Sequence, residues 1–166
     1  NTFDSADSLA DFTQYRGTWG VVDGAVQLLS DPDGKNTYIL YTGKDELTSL
    51  TDYVVEVDVY NTQSAAGLVA RADLDSVHGN AQHGYCGYLS MLDVNGYTAL
   101  FRAANAAGTA VTLFNTSHQM FRHASDIRIT IAVRGNLVHT LYTDLHSGTA
   151  LWGWTERDET WASGSF

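Results

Sequence analysis

The 166-residue chain is of a size that usually forms one domain, and 44% hydrophobic with 17% charged residues indicates an ordered fold with a buried core. Nine lysines and arginines stand against nineteen acidic residues, for a formal net charge of −10. This charge repels phosphate backbones and anionic lipid, so we expect neither nucleic acid nor a membrane surface as a partner.

Short runs rich in Val, Ile, Leu, Thr and Tyr predict strands along the whole chain, and no segment shows the 3.6-residue period of a long helix. The predicted strands are, in chain order, Thr18–Val22, Ala25–Ser30, Tyr38–Thr42, Tyr53–Asn61, Ala66–Asp73, Tyr85–Leu92, Tyr97–Ala103, Ala110–Phe114, Ile127–Arg134, Val138–Tyr142 and Ala150–Trp152. Strands joined by hairpin turns, with no helices between them, predict an all-β fold. We expect an antiparallel two-sheet jelly-roll sandwich, one domain over residues 1–166.

The turns and the faces of these strands follow from local chemistry. The pairs Asp23-Gly24 and Asn95-Gly96 favour the positive φ that two-residue hairpins require. Because successive side chains of a strand point to opposite faces, the four apolar residues at odd positions of 127–133 share one face. The same alternation places Glu56 and Asp58 together on one face of their strand, opposite to Val55, Val57 and Val59.

Five motifs, in this order along the chain, resemble those of one fold family. They are GTWGVVDGAV at 17–26, YVVEVDV at 53–59, GLVARA at 67–72, GYTALFR at 96–102 and IAVRGN at 131–136. The chain resembles laminin-G-like, concanavalin A-like jelly-roll modules. It is similar in particular to the carbohydrate-binding modules of secreted fructan- and related glycan-degrading enzymes.

The resemblance implies a non-catalytic module that binds a polysaccharide or oligosaccharide, is secreted to the extracellular space and is attached to a catalytic domain. Modules of this kind often hold a structural calcium ion near their termini, for which Asp4 or Asp7 would supply oxygen ligands. They also continue with a closing strand beyond the position of Phe166, so we expect either that this final strand is left out of the present sequence or that another segment or chain completes the sheet.

Sugar recognition combines aromatic rings, which stack on the faces of sugars, with planar polar groups that bind adjacent hydroxyls. An arginine within an apolar strand is costly unless its charge is paired or used, which draws attention to Arg71. The predicted ligand-binding residues are Arg71, Asp75, His78, Tyr85, Tyr88 and Arg102. The alternative is that Arg71 pairs with Glu56 or Asp58 and that the tyrosines belong to the core. Trp152 and Trp154, two residues apart, would share a further aromatic face.

Two other functions remain open. A glycoside hydrolase on the same sandwich would use Glu56 and Asp58 as its carboxyl pair, since this chemistry needs two carboxyl groups on one face. Laminarinase-type glucanases carry E-x-D-x-x-E, but here Asn61 stands at the third position and cannot donate a proton. The pair is therefore interpreted first as a polar outer face. The third function is a structural accessory domain that packs against a catalytic domain.

Overall fold

The structure is a computed structural model that describes residues 3–31, 37–43, 50–60, 65–72, 87–93, 95–103, 110–117 and 126–157. In these ranges the chain forms one 3-10 helix, Ala6–Leu9, and twelve β-strands. The strands are β1 Phe12–Arg16, β2 Thr18–Val22, β3 Ala25–Ser30, β4 Tyr38–Tyr41, β5 Tyr53–Val59, β6 Ala65–Ala70, β7 Gly87–Asp93, β8 Tyr97–Ala103, β9 Ala110–Ser117, β10 Ile127–Arg134, β11 Leu137–Asp144 and β12 Ala150–Arg157. The predicted all-β class is confirmed. None of the described helical residues forms a helix long and apolar enough to cross a membrane.

Two four-stranded antiparallel sheets form the body of the protein. Sheet I has the order β12-β11-β10-β5, and sheet II has the order β6-β7-β8-β9. The ribbons β1-β4 and β2-β3 are two further two-stranded sheets. Buried residues of both large sheets pack together, with Tyr88 and Leu100 of sheet II against Ile131 and Val138 of sheet I. This packing is that of the predicted jelly-roll sandwich.

The faces of sheet I follow the predicted alternation. Its four residues at odd positions of β10 are buried, and Ile129 and Ile131 pair with Val57 and Val55 of β5. Because directly opposed residues of an antiparallel pair share a face, these apolar side chains form one continuous inner layer. The residues between them, among them Arg128, face outward.

Several strand limits differ from the prediction, for identifiable reasons. The sequence did not predict β1, because Phe12–Arg16 has weak alternation, but β1 pairs with β4 and the ring of Phe12 meets that of Tyr41 edge-on at 5.3 Å. β12 continues beyond Trp152 to Arg157. β6 ends at Ala70, earlier than predicted, because Arg71 has φ 52°, a left-handed backbone that cannot continue a strand.

Three hydroxyl groups lie buried between the sheets. The Ser90 hydroxyl contacts the Thr140 hydroxyl and donates to Tyr142 Oη at 2.9 Å. The Tyr142 hydroxyl in turn reaches the carbonyls of Met91 at 3.1 Å and Ala99 at 3.2 Å. Burial raises the pKa of Tyr142, so this hydroxyl keeps its proton and acts as a donor between the sheets.

Candidate functional site

The structure brings together three of the six predicted ligand-binding residues. Strand β7 lies between β6 and β8, Tyr88 is directly opposite Arg102 on one side, and Ala70 is opposite Tyr88 on the other. Arg71 follows Ala70 at the end of β6. The three residues therefore meet at one end of the sandwich, which we call the arginine end. The remaining predicted residues, Asp75, His78 and Tyr85, lie outside the described residues.

Arg71 is completely buried at the arginine end, with 0% of its surface exposed. Its Nη1 donates to the carbonyl of Gly135 at 2.7 Å, and its Nη2 donates to the carbonyl of Thr51. Its backbone N–H donates to the hydroxyl of Tyr53 at 2.7 Å. A side chain with no exposed surface contacts a ligand only after a rearrangement. The predicted contact between Arg71 and a sugar therefore stays a prediction, and the present geometry gives this residue a structural role.

The alternative pairing of Arg71 with Glu56 or Asp58 is not seen in the described part of the structure. Glu56 and Asp58 lie on the outer face of sheet I, where their partners are Thr130 and Arg128. The guanidinium of Arg71 instead donates to the backbone carbonyls of Gly135 and Thr51.

Tyr88 and Arg102 differ in exposure although they are cross-strand partners. Tyr88 has 0% exposure and belongs to the main core cluster, as the alternative interpretation of the tyrosines predicted for this one. Arg102 is only partly buried and lies opposite Val111 on its other side, a residue that is 38% exposed. Of the three predicted ligand-binding residues at the arginine end, Arg102 is the one that combines a charged group with partial exposure.

Sequence analysis missed the groups that build this end of the molecule. Tyr53 begins β5, and burial raises the pKa of its hydroxyl to about 12 despite the opposing effect of the hydrogen bond from Arg71. Asp52 Oδ1 accepts the N–H of Gly135 at 2.7 Å, which joins the start of β5 to the turn between β10 and β11. Backbone carbonyls have no sequence signal, so no pattern could have indicated Thr51 or Gly135 as partners.

Glu56 and Asp58 lie on the same face of sheet I, as the alternation predicted. Arg128 donates from Nε to Asp58 Oδ1 at 2.6 Å and from Nη2 to Asp58 Oδ2 at 2.9 Å, which makes a bidentate ion pair. These hydrogen bonds lower the pKa of Asp58. Thr130 donates its hydroxyl to Glu56 at 2.9 Å. The ion pair with Arg128 therefore favours the ionised form of Asp58.

The described residues bear in part on two other predictions, the aromatic face of Trp152 and Trp154 and the calcium site. The backbone of β12 is extended at Trp152 and Trp154, but the register with β11 is irregular between Thr140 and Tyr142, and the tryptophan side chains lie outside the described residues. In the described ranges no three His, Cys, Asp or Glu side chains form a metal-binding group. Calcium binding through Asp4 or Asp7 therefore stays a prediction.

The backbone was compared with known proteins. It matches the solved structure of carbohydrate binding module CBM66 from Bacillus subtilis with a TM-score of 0.68 and 18% sequence identity, over 93% of this chain and 84% of that one. The two chains share a fold. No family model and no curated protein matches the sequence. At this identity the likeness concerns architecture, so binding must be argued from the residues of this chain.

Proposed function

We propose that this protein is a non-catalytic module that binds a polysaccharide or oligosaccharide and directs a secreted polysaccharide-degrading enzyme to its substrate. The observation that carries the proposal is the shared fold with a solved module named as carbohydrate binding, extending over 93% of this chain. The net charge of −10, which disfavours polyanionic partners, is compatible with a neutral ligand.

The proposed site is the arginine end. The guanidinium of Arg102 supplies planar N–H donors, which suit adjacent sugar hydroxyls, and the residue is partly exposed although its Nε is buried. Asp75, His78 and Tyr85, on the segment between β6 and β7, are proposed as further ligand contacts. A few hydrogen bonds and one stacked ring correspond to dissociation constants roughly in the micromolar to millimolar range.

Isothermal titration with fructans, β-glucans and arabinans tests this proposal. We expect saturable heat with at least one of these glycans. Arg102→Ala should weaken that binding by about tenfold, since a hydrogen bond from a charged donor is lost. The matched control is Arg134→Ala, which removes an exposed arginine from β10 and should leave affinity within about twofold. Absence of saturable heat would overturn the function, and equal affinity of the Arg102 variant would overturn the site.

The proposal includes an attached catalytic domain, and the ribbon β2-β3 supplies an exposed apolar surface for such a contact. Leu29 is 55% exposed and Val22 is 40% exposed, and the Leu29 side chain lies over Gly20 on the face that Val22 shares. Exposed apolar side chains that cluster on one element are typical of interaction surfaces. The test measures amide hydrogen exchange in this chain alone and in the natural secreted protein. Greater protection of β3 in the natural protein is expected, and equal protection would contradict the contact.

A further inference from the structure

Arg71 combines two features that are each uncommon, and the surrounding contacts hold both in place. Its guanidinium is fully buried, and its backbone has φ 52°, a left-handed conformation that side chains with a Cβ rarely adopt. Strained backbone persists where neighbouring groups over-determine it, and it concentrates at functional sites. The position of Arg71 beside Tyr88 and Arg102 gives this strain a functional context.

The guanidinium joins sheet II to two separate segments of sheet I. Nη1 binds the carbonyl of Gly135 in the β10–β11 turn, and Nη2 binds the carbonyl of Thr51 before β5. These two segments are joined to each other by the Asp52–Gly135 hydrogen bond. The hydroxyl of Tyr53 accepts the backbone N–H of Arg71 at 2.7 Å. One residue thus closes the sandwich at the arginine end, and we call this set of contacts the Arg71 lock.

The start of β7 packs directly against the backbone of the lock. A Cβ on Gly87 would lie 2.7 Å from the carbonyl oxygen of Ala70 and 2.8 Å from that of Arg71, distances that real Cβ atoms essentially never show. Gly87 also has φ 136°, which glycine adopts most readily. The next residue, Tyr88, is the cross-strand partner of Arg102. The backbone of Arg71 therefore sets where β7 begins and, through it, where Arg102 lies.

We propose that Arg71 is a positioning residue for carbohydrate binding: the Arg71 lock holds the two sheets in the arrangement that places Arg102 for the ligand, and the Arg71 guanidinium does not touch the sugar. This inference rests on the proposed function. It assigns the two arginines different tasks, one buried and structural, the other partly exposed and in contact with ligand. A binding site held by rigid neighbouring elements loses affinity when the supporting contacts loosen.

The test uses Arg71→Lys, in which a single ammonium replaces the fork that reaches two carbonyls. Tyr53→Phe is the milder second variant, because it removes only the acceptor of the Arg71 N–H. Below their melting temperatures we expect Arg71→Lys to bind the glycan about tenfold more weakly and Tyr53→Phe to change affinity in the same direction by a smaller factor. Arg134→Lys, at the exposed end of β10 beside Gly135, is the control and should bind like the unaltered protein. Unchanged affinity in both lock variants would overturn the inference.

Two further readouts separate positioning from direct contact and from failure of the function. In spectra of ¹⁵N-arginine side chains, saturation with glycan should shift the Nε–H signal of Arg102 and leave that of Arg71 in place. An equal shift of Arg71 would overturn the positioning role in favour of contact. Without any glycan, the amides of Tyr88 and Arg102 should exchange at least about tenfold faster in Arg71→Lys, whereas that of Ile127 should not. If the unaltered protein binds no glycan but this exchange changes, the proposed function fails and the lock stands; unchanged exchange overturns the lock itself.

Discussion

Arg71 and Arg128 bind oxygen atoms in two different regions of the protein, Arg71 buried at the arginine end and Arg128 on the outer face of sheet I. Arg71 has 0% exposure and backbone carbonyl partners, whereas the side chain of Arg128 is 42% exposed and its partner is the Asp58 carboxylate. Water can replace the partner of Arg128, whereas the Arg71 guanidinium has no exposed surface and depends on protein carbonyls for its hydrogen bonds. The comparison teaches that removing an arginine costs more stability where its charged group is buried than where it is exposed.

The largest expected effect is that of Arg71→Met. Methionine fills a similar volume, but it removes the guanidinium donors that bind the carbonyls of Thr51 and Gly135. A hydrogen bond from a charged group contributes about 1.5–3 kcal/mol, so we expect the loss of two to lower the free energy of unfolding by about 3 kcal/mol. Urea denaturation measures this change. Arg134→Met, at an exposed position beside Gly135, should shift stability by less than about 0.5 kcal/mol. Similar losses in the two variants would end the contrast between buried and exposed arginine.

An intermediate effect on stability is expected for Tyr142→Phe. This variant compares a buried neutral hydroxyl with the buried guanidinium of Arg71. This change removes a hydroxyl that accepts from Ser90 and reaches two carbonyls of sheet II, without changing the ring. We expect a loss of about 1–2 kcal/mol, because Ser90 keeps its contact with Thr140 and so is not left entirely without a hydrogen bond. Tyr60→Phe, at a side chain that is 61% exposed, is the control and should have almost no effect. A loss as large as that in Arg71→Met would mean that a neutral hydroxyl matters as much as the buried guanidinium.

The smallest effect, and one that depends on pH, is expected for Asp58→Asn. Arg128 holds the pKa of Asp58 below its usual value of 3.8 in the folded protein. The ion pair therefore favours folding above pH 3.8, and its contribution disappears as the pH falls below that value through the lower folded-state pKa. Because both groups are partly exposed, we expect Asp58→Asn to lower the melting temperature at pH 7 by no more than about 3 °C.

Melting curves between pH 7 and strongly acidic solution check this prediction. The difference between Asp58→Asn and the unaltered protein should vanish in acid, and 1 M salt should reduce it at pH 7. Asp7→Asn, at an exposed position near the N-terminus, serves as the control. A difference that persists unchanged in acid would contradict the assignment of the effect to the Asp58–Arg128 pair.

The sequence predicted which strands of the candidate site are neighbours, but it did not predict the surroundings of the side chains on them. The adjacency of the strands that carry Arg71, Tyr88 and Arg102 agrees with the hypothesis built on their order in the chain. Their environments differ from that hypothesis, since Tyr88 is in the core and Arg71 is sealed beneath the end of the sandwich. The predicted strand ran to Asp73, and that continuation would have kept Arg71 in the alternation of β6. The left-handed backbone of Arg71 ends the strand, and no local sequence signal indicates it.

The sequence by itself determined the strands, their inner and outer faces and the hairpin turns, because alternation and turn chemistry act between residues close together in the chain. The positive φ values of both Asp23 and Gly24 are one such local outcome. Only the tertiary structure decided the surroundings of Arg71, because its carbonyl partners are 20 and 64 residues away along the chain. Backbone oxygens are the same in every residue, so their selection depends on how the two sheets pack.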